Sequence, residues 1–283
     1  MINEKDHNPP TTLQPTQPTL NMNEEKVLIN DLKINYKIAG GGEPLLILHG
    51  WAGSSGSWID VQRILAKEGF KVIVPDLPGF GKSHTPSVPW GIAEYSEFIL
   101  NFLQKMGLKK VNLLGHSFGG RIAIKFASHY PERLKKLILC ASAGIKHNLT
   151  FPQKIVLNLA LIGNFLFSKK LLRRFKDVAR NIFYMFLRKK DYTKVNGVMK
   201  ETFKRVVEED IRPELTNIGA KTLLIWGEKD KSVPLEDAYL MKENISHSIL
   251  EIIPGASHTS NLESPQKLSS VISNFLKLRD PAS

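Results

Sequence analysis

The sequence predicts an α/β fold: a mostly parallel central sheet flanked by helices, with a helical segment inserted at a strand end. Two observations predict it. Short apolar runs alternate with stretches of helical spacing along most of the chain, and several runs are apolar throughout, as strands buried on both faces are. The alternation stops from Ile145 to Leu215, where only helical patterns occur, and then resumes.

Residues 1–23 are rich in Pro, Thr, Gln and Asn, with almost no apolar side chains. They cannot bury enough surface to offset the entropy of ordering and read as a disordered tail. The core is expected over residues 24–144 and again over 216–283. "KVLINDLKINYKIAG" alternates on either side of Asn30-Asp31, as two antiparallel strands around a tight turn do. "EPLLILHG" is a buried strand closed by glycine, "SWIDVQRILAKEGF" has helical spacing, and "KVIVPD" is the next strand. "IAEYSEFILNFLQKMGL" is an amphipathic helix closed by Gly107. "KVNLLG" follows as a strand, "SFGGRIAIKFASHY" as a helix stopped by Pro131, and "RLKKLILCAS" as a strand. Residues 145–215 then give three helical stretches: "PQKIVLNLALIGNFLF", "KKLLRRFKDVARNIFYMFLRKK" and "TKVNGVMKETFKRVVEED". "AKTLLIWGEKD" restores the strand pattern. A helix near "PLEDAYLMKEN", the strand "HSILEIIPGASH" and a last helix from about Ser264 to Leu278 complete it.

At 283 residues, 42% hydrophobic and 23% charged, the chain has the length for a sizeable core and the composition of a soluble enzyme. Its one cysteine, Cys140, lies in an apolar run and reads as a small buried hydrophobe. The N-terminal stretch lacks the apolar core of a secretion signal, and no apolar run approaches the roughly 20 residues that span a bilayer. Cytoplasmic residence is therefore expected. The net charge of +12 is concentrated, since sixteen Lys or Arg face six Asp or Glu between Lys146 and Arg212. This basic stretch, with Lys169, Lys170, Arg173, Arg174 and Arg188 in it, reads first as a solvated face. The other reading is a surface for an anionic substrate or anionic lipid headgroups. No recognition motif accompanies the charge, so nucleic acid is not an expected partner. The first helix of the insertion is apolar nearly all round, suiting either burial against the core or the wall of an acyl pocket. No metal or cofactor is expected, and monomer and homodimer both stay open.

The chemistry centres on "GHSFGG", residues 115–120. A G-x-S-x-G pentapeptide occurs by chance in about one chain in ten of this length, so its surroundings must decide. Here a strand ends and a helix begins almost at once, which forces a sharp, strained turn on Ser117. Gly115 and Gly119 let strand and helix approach without clashing, and the turn lifts the serine hydroxyl clear of the sheet edge. The N–H of Phe118, at the helix start, is then aimed at whatever carbon Ser117 attacks; Phe118 is expected to matter for that N–H rather than for its ring. A serine hydroxyl needs a base. Of eight histidines, His258 lies in the loop straight after the last apolar strand, on the edge where Ser117 emerges. His116 and His49 adjoin backbone turns and read as structural hydrogen-bonders, while His84, in a loop, stays open. The orienting carboxylate should follow the preceding strand, where "WGEKDKSVP" offers Glu228 and Asp230. Asp230 lies further into the loop and is preferred for its reach. "GFGKS", residues 79–83, imitates the end of a phosphate-binding loop, but Asp76 stands where that motif needs glycine.

The order Ser117, Asp230, His258 on such a sheet resembles the α/β-hydrolase fold family, over roughly Val27 to Leu278. "HGWAGSSGSW", "DLPGFGKS", "GHSFGG", "WGEKDKSVP" and "GASHTSNLESP" carry the resemblance. It implies that residues 145–215 are a helical cap over the active site, and that the N–H of Trp51 completes an oxyanion hole with that of Phe118. Family members that open epoxides or displace halide use an aspartate nucleophile, which Ser117 replaces here. Serine suits acyl transfer, and the expected activity is hydrolysis of carboxylic esters with medium-sized, apolar acyl groups. The alternatives are hydrolysis of C–C bonds in dienoic keto acids, whose enzymes commonly carry Asn where this chain has His116, perhydrolase or lyase activity, and a ligand-receptor role.

Overall fold

The computed structural model describes residues 22–146 and 197–278. The expected tail up to residue 21, and residues 147–196 of the expected cap with its apolar first helix and most of its basic stretch, lie outside the described residues. Eight strands form one sheet among the described residues: β1 (Met22–Ile29), β2 (Leu32–Ala39), β3 (Glu43–Leu48), β4 (Phe70–Pro75), β5 (Val111–His116), β6 (Leu134–Cys140), β7 (Thr222–Gly227) and β8 (Ser248–Ile253). Their order is β1-β2-β4-β3-β5-β6-β7-β8. β1 and β2 form an antiparallel hairpin that joins β4 antiparallel, and every other neighbouring pair is parallel.

The α-helices among the described residues are α1 (Ile59–Lys67), α2 (Ile92–Lys105), α3 (Phe118–His129), α4 (Val198–Glu208), α5 (Arg212–Leu215), α6 (Leu235–Asn244), α7 (Ser260–Glu263) and α8 (Pro265–Lys277). They cover both faces of the sheet. One core layer joins Tyr95, Phe98 and Phe102 of α2 and Ile122 and Phe126 of α3 to Ala238 and Met241 of α6. The other joins Val61 and Leu65 of α1 to Leu268, Ile272 and Phe275 of α8. β5 and β7 are buried along their whole length, and their centres, residues 113–114 and 223–226, are apolar on successive residues rather than alternating. Cys140, at the end of β6, is 1% exposed, and burial pushes its thiol up to about 12.

Strand β1 starts earlier than composition suggested. Met22 and Asn23, within the expected tail, pair with Ala39 and Ile38. A hairpin ladder needs backbone groups rather than apolar side chains. The polar start of β1 is held at its surface by Glu24, which accepts a hydrogen bond from Lys82 at 2.6 Å and faces Lys37 at 3.0 Å. Those two ammonium groups hold its carboxyl down at about 2.

The parallel strands bring the loops after β3, β5, β7 and β8 to one edge of the sheet. The register sets their heights, with Leu48 of β3 opposite Gly115 of β5 and Gly227 of β7 opposite Ile253 of β8. A buried lysine secures the far layer. Lys136 Nζ donates to the carbonyls of Phe275, Leu276 and Leu278 at 3.2, 3.0 and 2.6 Å, closing the C-terminus of α8.

Candidate active site

Ser117 stands between β5 and α3 with φ 52° and ψ −109°, backbone that side chains other than hydrogen rarely adopt. The turn is fixed from several directions. The Ser117 N–H donates to the Cys140 carbonyl at 3.1 Å, and the Ser117 carbonyl accepts from Gly120 and Ala143 at 3.0 and 3.1 Å. Both glycines singled out in the sequence are forced by space. A Cβ on Gly115 would lie 2.4 Å from the Gly119 carbonyl oxygen, and one on Gly119 would lie 2.2 Å from that of Leu48. Gly120 is a third such position, where a Cβ would meet Ser142 Oγ at 2.2 Å.

Three side chains from three loops then meet. His258 Nε2 accepts from Ser117 Oγ at 3.0 Å, and His258 Nδ1 donates to Asp230 Oδ2 at 2.8 Å. The Asp230 carboxylate is 1% exposed. Burial pushes its pKa up, but the His258 hydrogen bond and the N–H groups of Val233 and Ser232 outweigh it and hold the group below its ordinary value. Those two N–H groups bind Oδ1 at 3.0 and 2.7 Å, leaving Oδ2 for the imidazole. Glu228, the other carboxylate of that loop, takes a different part: its Oε2 accepts from the Gly255 N–H at 2.8 Å and steadies the turn before His258.

The remaining histidines divide as their settings suggested. His49 is fully buried; its Nδ1 donates to the Gly50 carbonyl at 2.8 Å and its Nε2 accepts from the Leu77 N–H at 2.9 Å. His116 Nε2 donates to the His258 carbonyl at 2.9 Å. His84 is exposed, and His129 Nδ1 bonds the Lys125 carbonyl. Asp76, the residue that spoils the phosphate-loop motif, fills that loop with its own carboxylate. It accepts from the N–H groups of Ser55 at 2.6 Å and Lys82 at 2.9 Å, and from Asn35 Nδ2 at 3.0 Å.

The loop after β3 reaches the serine. A Cβ on Gly50 would stand 3.4 Å from Ser117 Cβ, so the Gly50–Trp51 peptide lies beside the serine side chain. The Trp51 ring meets those of Phe80, Phe118 and Phe203 edge to face, at centroid distances of 4.8, 5.2 and 4.9 Å. Phe118, expected to serve through its N–H alone, is also 3% exposed and packs its ring against Tyr95 at 5.0 Å. Its ring is as much a part of the structure as its amide. Among the described residues, no group of three or more His, Cys, Asp or Glu is placed to hold a metal ion, and no helix is long and apolar enough to cross a membrane.

Residues 43–265 match the alpha/beta hydrolase fold family. The chain belongs to the α/β-hydrolase fold family. Among its relatives is the 2-hydroxy-6-oxo-6-phenylhexa-2,4-dienoate hydrolase of Burkholderia cepacia, 27% identical over 274 residues that cover 88% of this chain and 92% of that one. A serine hydrolase involved in carbazole degradation superposes with a TM-score of 0.70 at 26% identity, covering 92% of this chain and 100% of that one. An esterase from Exiguobacterium antarcticum gives 0.70 at 25% identity, covering 89% and 99%. The fold and these relatives make the chain an α/β hydrolase.

Several residues around the site of this α/β hydrolase escaped the sequence reading. Glu263 accepts from the Ser257 N–H at 2.8 Å and from Thr259 Oγ1 at 2.8 Å, clasping the residues on both sides of His258. Asn261 Nδ2 donates to the Ser57 carbonyl at 2.7 Å and ties that loop to the one after β3. Phe203 of α4 supplies part of the aromatic wall. Ser257, Thr259 and Glu263 are ordinary polar residues one by one, and Ser57 lies 204 positions from Asn261, so no local pattern signals that last tie.

Proposed function

We propose that this hydrolase cleaves the carbon–carbon bond beside the 6-oxo group of a 2-hydroxy-6-oxo-dienoate, with Ser117 as nucleophile, His258 as proton carrier and Asp230 as its orienting carboxylate. The observation that carries the reading is the continuous hydrogen-bonded path from Ser117 through His258 to Asp230, in a chain matched over 88% of its length by a hydrolase of that substrate class. The keto acid thereby moves ahead of the carboxylic ester favoured on sequence alone.

As Ser117 Oγ bonds to the carbonyl carbon, its proton passes to His258 Nε2. The N–H groups of Trp51 and Phe118 receive the developing oxyanion, for which a single donor is typically worth roughly 3–4 kcal/mol. Once the 2-hydroxy proton has moved to C5, leaving a 2-oxo group, the oxyanion collapses and the C–C bond breaks; its electron pair runs through the C3–C4 double bond onto the 2-oxo oxygen, which takes the proton from the imidazolium. Water then repeats the sequence on the acyl-serine: His258 removes its proton, its oxygen bonds to the acyl carbon, and Ser117 leaves with the proton returned. Asp230, held below its ordinary pKa, stays ionised and stabilises the imidazolium throughout.

A carboxylic ester is the second reading. His116, where C–C hydrolases of the family commonly carry Asn, favours it, as does the likeness to the Exiguobacterium esterase. The full-length protein should be assayed with a 2-hydroxy-6-oxo-6-phenyl dienoate, followed by loss of its absorbance, and with p-nitrophenyl esters of increasing acyl length. A kcat/KM roughly 100-fold higher for the keto acid is expected. The reverse preference would assign the ester. In either assay Ser117→Ala should lower kcat by about a thousandfold or more with the fold intact; retained activity would remove Ser117 from its role.

A further inference from the structure

His116 stands where three parts of the site meet. It is the last residue of β5, directly before Ser117, and is 7% exposed. Its Nε2 lies 2.9 Å from the carbonyl oxygen of His258, 142 residues away. A carbonyl oxygen only accepts, so the Nε2 atom carries the proton. On its other side the ring abuts the loop after β3: a Cβ on Gly50 would stand 3.0 Å from His116 Nδ1. Trp58 meets the ring edge to face at 5.9 Å, and the His258 ring lies tilted beside it at 5.0 Å. One imidazole, on the residue that ends β5 just before Ser117, therefore touches the loop of Trp51 and the loop of His258.

We propose that His116 is a positioning residue, whose Nε2–H holds the His258 backbone so that the His258 imidazole reaches Ser117 and Asp230 together. The proposal rests on the reading of Ser117 and His258 as nucleophile and base. The 3.0 Å contact to Ser117 and the 2.8 Å contact to Asp230 leave little slack, and both depend on where the His258 main chain stands. Glu263 fixes the residues on either side of His258 and Glu228 the turn before it, whereas His116 bonds the carbonyl of His258 itself. A neutral ring suits this duty, and burial, with His258 alongside, pushes His116 down to about 4.

The test compares His116→Gln with His116→Met in the full chain. The two side chains have similar length and bulk, and only glutamine offers a donor at the position of Nε2. With the better of the substrates above, Met is expected to lower kcat by about 10- to 100-fold while KM changes by less than about threefold. Gln should recover most of that loss. Equal kcat in both variants and the wild type, or an equal fall in both with unchanged thermal midpoints, would overturn the proposal. If Ser117→Ala or His258→Ala stays active, the underlying reading of the site fails instead, which these assays separate. Should either His116 variant not fold, the wild-type protein decides through its histidine ¹⁵N resonances at about pH 7. The expected signature is a neutral, Nε2-protonated His116 ring; an Nδ1-protonated ring or an imidazolium would overturn the proposal.

Discussion

At the scale of the residue, Ser117 shows how strain and position are joined. Its positive φ is a conformation worth about 1–3 kcal/mol of strain for a side chain larger than hydrogen. It persists because the Cys140 carbonyl, the Gly120 N–H and the Ala143 N–H all bind the same peptide units. Replacing the serine separates its two burdens. Ser117→Ala and Ser117→Gly both lose the hydroxyl, but only glycine relieves the backbone. Glycine also gains freedom in the unfolded chain, which takes back about 0.5–1 kcal/mol. Ser117→Gly is thus expected to be more stable than Ser117→Ala by about 1 kcal/mol in urea unfolding, with both variants inactive. A glycine variant less stable than the alanine one by about 0.5–1 kcal/mol, the entropy term alone, would show that the turn stores no strain.

At the scale of the element, helix α3 joins the serine to helix α4. Arg121, in its first turn, is 9% exposed and donates from one nitrogen to the carbonyls of Val206 and Glu209, at 2.8 and 2.9 Å. It thereby caps the C-terminus of α4, the helix that carries Phe203 to the wall beside Trp51. Arg121→Met keeps the bulk and strands two carbonyls, and should lower stability by about 2–4 kcal/mol, read as a fall in the urea midpoint. A change under about 0.5 kcal/mol would mean that water satisfies those carbonyls equally well. The contrast between elements and their ties explains what the sequence discloses. Strands β3 and β7 are legible because burial on both faces writes itself as runs of successive apolar residues, 45–48 and 223–226. Asp230 was preferred to Glu228 because its place in the loop gives it reach. The bridge from Asn261 to Ser57 and the bond from Arg121 to α4 leave no such trace, since each depends on residues brought together only by the folded sheet. Met22 and Asn23 were missed for another reason: an edge ladder is made of backbone, to which composition is blind.

At the scale of the whole molecule, two enclosed imidazoles set how stability depends on pH. His49 is held neutral by its bonds, because its Nε2 accepts from the Leu77 N–H and a proton there would oppose that donor. Burial lowers its pKa. His116 is likewise pushed down by burial and by His258, to about 4. In the unfolded chain both would titrate near 6.5. Between those values the unfolded chain binds protons that the folded one refuses, so stability is fully present above about pH 6.5 and declines as pH falls toward about 4. The surface and site carboxylates behave differently in that window. Glu24, at about 2, and Asp230, also depressed, keep their contributions until the pH falls below the ordinary carboxylate range. A urea midpoint that drops steadily from about pH 7 to 4.5 is therefore expected, with His116 alone accounting for roughly 2–3 kcal/mol of unfolding free energy. The His116→Gln variant, which has no imidazole there to protonate, should show a shallower decline over the same range. A wild-type midpoint that stays flat to about pH 5, or a variant with the same slope as the wild type, would mean that the folded protein takes up those protons without resistance.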